Sequence, residues 1–249
     1  MCSSDLEISW TMTSSLLATA IMLPLVGWLV PRFGTRNVMF VSLLAFCTAT
    51  FLCGIALSLE AMIFYRVCQG ASGAALIPLG QIVILDVFPR RQHSLVISLF
   101  GVANTVGPVL GPLAGGYLAE NYTWRLAFHM LVPLTLAAAL AALTALPKRD
   151  EGARPALDWT GFLSLSVAIA GLQWILSRGE RVDWFNAREI VLAAWAAGIA
   201  FWIFVAHSVL SQRPFVDLRL LLDRNYAIGV ILIRSEEHTS ELQSPCNLV

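Results

Sequence analysis

The chain has 249 residues, of which 57% are hydrophobic and 13% charged, with acidic and basic side chains in equal number. Ordinary globular domains carry about 25% charged residues, so a water-soluble fold would leave apolar surface that it could not bury. A net charge of zero gives no electrostatic footprint for nucleic acid, and no nucleic-acid partner is expected.

In chain order, apolar runs fall at residues 16–30, 38–59, 63–87, 95–118, 126–146, 159–176 and 190–210. Each approaches the ~20 residues a helix needs to cross hydrocarbon. The pattern predicts an all-α membrane protein with about seven spans and the start of another at 226–233. Barrel strands would alternate in polarity, and these runs do not. Connectors on one side hold Arg32, Arg36, Arg90, Arg91, Lys148, Arg149, Arg154, Arg213, Arg219 and Arg224, whereas the other side holds Arg125, Arg178, Arg181 and Arg188. The positive-inside rule places the first set in the cytoplasm.

The first inner turn reads GWLVPRFGTRNV over 27–38. Gly27 and Gly34 permit close approach and a tight turn, and Arg32 and Arg36 supply donors for helix ends or carboxylates. Residues 63–75, IFYRVCQGASGAA, set Arg66, Gln69, Gly70 and Gly73 at spacings that share one helical face. An arginine facing lipid at the bilayer centre costs about 3 kcal/mol, so Arg66 should face protein or a wet cavity and tune a polar route or a proton-binding carboxylate. No acid lies within reach in the natural spans, since Asp86 falls at the inner end of this one.

Residues 101–118 read GVANTVGPVLGPLAGGYL. Gly107, Gly111 and Gly115 repeat every four residues, so a stripe without side chains runs down one face, where two membrane helices can pack backbone to backbone. Pro108 and Pro112 lie on the adjoining face and can kink the helix. Asn104, Thr105 and His129 read as bundle packing, and His207 as a residue held by the dipole of an inner helix end. Cys47, Cys53 and Cys68 lie in spans as small hydrophobes. No Cys/His ligand spacing or nucleophile motif occurs, so neither a metal, a cofactor nor an enzymatic activity is expected.

The two ends read as foreign. MCSSDL can be encoded by GTG TGC TCT TCC GAT CT, whose reverse complement, AGA TCG GAA GAG CAC AC, encodes Arg234 to Thr239. Inverted copies of one oligonucleotide point to library construction, and residues 1–6 and 234–249 are expected to be adapter-derived. The expected organisation is a six-helix bundle lacking its first helix at 7–147 and a cytoplasmic connector at 148–158. Two further central spans would follow at 159–212, then a cytoplasmic loop and the start of a second half at 213–233.

Three of these stretches carry a family resemblance. The 27–38 turn resembles the loop signature between helices two and three of the major facilitator superfamily, although Pro31 stands where an acid is common. The Arg66-x-x-Gln69-Gly70 face is similar to the helix-four signature of its exporters, and the 101–118 string resembles the antiporter motif on helix five of drug:proton exporters. Residues 159–210 echo neither signature and look like the extra pair of spans in fourteen-span exporters. The DWF loop and RPFVDLRLLLDRNYAIG resemble those of the EmrB/QacA type. The resemblance implies a partial major facilitator bundle in a bacterial inner membrane, exchanging drugs or other amphipathic small molecules for protons by alternating access. It assigns Arg66 and Gln69 to coupling and Gly107, Pro108, Gly111, Pro112 and Gly115 to a gating seam. A periplasmic adaptor and an outer-membrane channel are implied as partners. Alternatives are export of a different solute on the same scaffold, or a non-transporting membrane scaffold or sensor. The chain by itself is expected not to transport.

Overall fold

The computed structural model describes residues 2–146, 157–211, 215 and 228–229, with side chains from Trp10 onward except at 180, 181 and 185. Eight α-helices are described: α1 Cys2–Phe33, α2 Thr35–Gly54, α3 Leu59–Gly73, α4 Leu76–Val87, α5 His93–Asn121, α6 Trp124–Ala145, α7 Trp159–Arg178 and α8 Arg188–Leu210. They make seven membrane-length apolar segments, because α3 and α4 together form one span, Leu59–Val87. The break inside that span follows from Pro78. Its ring nitrogen cannot donate to the Ala74 carbonyl one turn back, and the helix pauses at Ala74–Ala75 with both residues still in right-handed helical geometry.

Short caps and turns set the ends. Gly34, the one residue between α1 and α2, adopts φ 79°, which a residue with a Cβ resists. Ser58 accepts a hydrogen bond from the Ala61 amide at 3.2 Å and starts α3. Within the spans, hydroxyls bond back to carbonyls one turn earlier, as Thr48 does to Leu44 and Ser72 to Cys68, so they need no water in the hydrocarbon.

α2 is the centre of the packing, lying against α6 and α3; α1 lies against α3 and α7, and α7 pairs with α8. Close crossings occur where side chains are small. Gly70 on α3 sits against the Ser15 backbone of α1, and Thr19 donates to the Gly70 carbonyl at 3.0 Å. Gly171 on α7 faces Ala193 and Ala197 of α8, and Gly54 leaves room for the His129 imidazole. Two apolar clusters fill the inner half: Val26, Val38, Ala75 and Leu79, and Leu43 with Ala139 and Ala142. Among the described residues α5 differs from the rest, packing on α4, α6 and the short turn before it and burying none of its residues.

The central hairpin closes at its inner end on one carboxylate. Asp158 caps α7 by accepting from the Gly161 amide at 3.0 Å, faces His207 Nε2 of α8 at 2.9 Å from both oxygens, and accepts from the Phe215 amide at 3.2 Å. The His207 role thus extends beyond the helix dipole that the sequence suggests: it closes a knot joining α7, α8 and the segment that follows. Asp158→Ala is expected to cost about 2 kcal/mol and to speed proteolysis after Leu210. Unchanged unfolding and cleavage would rule out the knot. The connector at 147–156 and most of the stretch after Ser211 lie outside the described residues.

Candidate functional site

Arg66 sits two turns into α3, past the Ser58 cap, on the side that faces α2 and α6. Its Nη1 donates to Gln69 Oε1 at 3.1 Å, three residues along the same helix. Gln69 Nε2 donates to Thr50 Oγ1 on α2 at 2.8 Å, and that hydroxyl donates to the Phe46 carbonyl at 2.7 Å. Thr50 is fully buried and Gln69 is 6% exposed, so the chain of bonds runs through protein interior. The guanidinium also lies 4.7 Å from the Phe128 ring centroid on α6, a cation–π contact. Its Nε is buried with no hydrogen-bond partner among the described residues. A charge removed from water is costly unless paired; here one amide oxygen and a ring face meet part of that cost, and the Nε donor is left over.

Thr50 and Phe128 are the members that sequence reading does not single out. Thr50 lies in the run FCTATF beside Thr48; both bond back to their own helix, and only the structure shows that Thr50 also accepts from Gln69 on α3. Phe128 is one aromatic among many.

The other sequence-nominated residues lie elsewhere. Gly107, Pro108, Gly111, Pro112 and Gly115 fall on a continuous α5, and beside each of the three glycines there is open space among the described residues. They do not meet Arg66. The inner turn holds the third group. Arg36 donates through Nη2 to the Leu143 carbonyl near the end of α6, which suits a cation at a helix C-terminus. Arg32 stacks 5.0 Å from the Trp28 ring centroid. Gly34 makes the turn, and among the described residues a Cβ at Gly27 would meet nothing within 4 Å. Of the histidines, His129 bonds the Arg125 carbonyl and packs edge-on to Phe51. At the outer end Arg125 reaches the Ala56 carbonyl, tying α6 to the end of α2. Among the described residues no cluster of three or more His, Cys, Asp or Glu side chains is placed to hold a metal.

Residues 2–224 match the Major Facilitator Superfamily. The chain belongs to that superfamily. Among its relatives in the superfamily is the multidrug export protein EmrB of Escherichia coli K12, 36% identical over 226 residues that make up 90% of this chain and 44% of that protein. EmrB of Haemophilus influenzae is 34% identical over 224 residues, and the fatty acid resistance protein FarB of Neisseria gonorrhoeae 32% over 224, each covering 90% of this chain and 44% of the relative. The chain thus spans less than half the length of these relatives. With superfamily membership, seven membrane-length apolar helices define a multi-pass protein of the bacterial inner membrane. Members of the superfamily are transporters.

Proposed function

We propose that this chain contributes to a proton-coupled exporter of drugs or other amphipathic small molecules that works by alternating access. The observation that carries the reading is the half-buried Arg66, oriented by Gln69, Thr50 and Phe128, its buried Nε without a hydrogen-bond partner among the described residues. A fixed cation in low dielectric shifts the proton affinity of any carboxylate brought near it, which is the physical requirement for coupling proton movement to a conformational step. The exposed glycine stripe of α5 supplies a second element, a smooth face against which another helix can slide or lock. Names of relatives that denote multidrug export and fatty acid resistance support an amphipathic substrate. Arg66 and Gln69 then serve coupling, residues 107–115 serve gating, and a periplasmic adaptor and an outer-membrane channel are the proposed partners.

The test is dye efflux from energised cells expressing the locus with its own flanking sequence. Efflux that a protonophore abolishes is the expected result. Failure to export any of a panel of cationic dyes, neutral drugs and fatty acids would favour a non-transporting scaffold or sensor.

A further inference from the structure

The span Leu59–Val87 is held differently on the two sides of its break. On the outer side α3 is clamped: Gly70 lies against the Ser15 backbone with the Thr19 hydroxyl on its carbonyl, Gln69 donates to Thr50, and a Cβ at Gly73 would come within 3.3 Å of the Phe46 ring. On the inner side the buried residues of α4, Leu79 and Ile84, are apolar, and Gly80 seats the Phe100 ring of α5. Between the two the ladder of hydrogen bonds lapses. The Ala74 amide still reaches the Gly70 carbonyl at 3.0 Å, and the Leu79 amide the Ala75 carbonyl at 3.0 Å. Among the described residues no backbone bond runs from the Ala75 amide to the Ala71 carbonyl, and Pro78 has no hydrogen to give Ala74. Other prolines do not interrupt their helices: Pro24 and Pro31 lie inside α1, Pro108 and Pro112 inside α5, and Pro133 inside α6. Pro78 does so because it follows the run Ala71-Ser72-Gly73-Ala74-Ala75, which has no bulky side chain to brace the turn and a glycine at its centre. Ala74 and Ala75 are each 4% exposed, so protein covers the irregular turn, as membrane depth requires.

We propose that residues 74–78 are a hinge about which α4, carrying α5 with it, tilts against the clamped outer half of the bundle. Bending here costs little, because the rungs that would resist it are already missing, and apolar contacts such as Leu79 against Val26 and Val38 have no directional bond to break. The far end of α5 is tied to α6 through Tyr122 and Thr123 alone, which gives the moving pair a second pivot. A tilt of about 20°, the size of a proline kink, would swing the inner end of the 12-residue α4 by about 6 Å. Arg66 lies on the fixed side of the hinge and the α5 glycine stripe on the moving side. The hinge is a property of the chain itself and does not presuppose export.

The full chain in nanodiscs would be followed in two ways. By hydrogen exchange resolved to single amides, Ala75 should exchange about tenfold or more faster than Phe46 in the unbroken α2, and Pro78→Ala should slow it about tenfold. Spin labels at exposed positions, in a background with the native cysteines changed to alanine, report the tilt: Leu85→Cys with Leu140→Cys on the inner side, and Phe64→Cys with Met130→Cys on the outer side. The inner pair should show a distance distribution about 6 Å broader than the outer pair. It should narrow to the outer width in Pro78→Ala and stay broad in Pro133→Ala, which removes a proline from a helix that does not break. Equal widths for the two pairs in the parent chain would overturn the hinge, as would an inner distribution that stays broad in Pro78→Ala or narrows equally in Pro133→Ala. An Ala75 amide that exchanges as slowly as that of Phe46 would overturn it too.

Discussion

Gly70→Leu is expected to prevent this chain from folding, and Gly70→Ala to cost about 3 kcal/mol, at the upper end for overpacking. A Cβ at position 70 would run into the Ser15 backbone, and no rotamer change can move a backbone carbonyl aside. The insertion would also part Thr19 from the Gly70 carbonyl. Since α1 packs chiefly on α3, the first span would lose its main support. The comparison that makes this informative is Gly107→Ala. Among the described residues nothing lies within 4 Å of a Cβ added at Gly107, so that change should leave the chain's stability within about 0.5 kcal/mol. Denaturant titration in detergent micelles, followed by tryptophan fluorescence, reads both. Equal effects at the two sites would mean that the α1–α3 crossing is not as close as described.

The same pair of glycines shows what was legible in the sequence. The repeat at 107, 111 and 115 is conspicuous because spacing by four is a pattern, and among the described residues no neighbouring helix lies against it. Gly70 is one glycine beside an Arg-x-x-Gln face, and among the described glycines a Cβ there would come nearest to another helix's backbone. Spacing shows that a close approach is possible; only the path of the second helix shows whether it occurs. Span number and position were readable because hydrocarbon thickness imposes a length on every apolar run, and the structure keeps the same seven segments. The pause at Ala74 was implicit in Pro78, a local covalent fact. Contacts between distant segments were not implicit in any local pattern. Thr50 reaches Gln69 across 19 residues and Asp158 reaches His207 across 49, and each pairing depends on helix packing that residue spacing does not encode.

On the proposed reading, Arg66→Ala in the protein expressed from the locus with its own flanking sequence is expected to lower drug efflux by about 100-fold or more, the loss of a group the coupling step needs, while leaving the bundle as stable or more so. The two directions follow from one fact. Arg66 is a cation in low dielectric whose partners are an amide, an aromatic face and, for Nε, nothing. Removing such a charge relieves desolvation, whereas a residue kept for packing would lower stability when truncated. Arg66→Lys separates charge from shape. An ammonium keeps the charge but lacks the planar fork that donates to Gln69 while lying over Phe128, so efflux should stay low, with an altered pH profile if coupling is what fails. Thr50→Val acts at one remove. It leaves the Gln69 amide buried without its acceptor, which costs about 1 to 3 kcal/mol and lets the guanidinium drift. Efflux should fall about tenfold and return in Thr50→Ser, which restores the hydroxyl. The measurements are dye efflux at several external pH values and unfolding of the same variants in detergent. Loss of stability together with activity in Arg66→Ala would make Arg66 a structural residue, and full efflux in that variant would remove it from the coupling machinery.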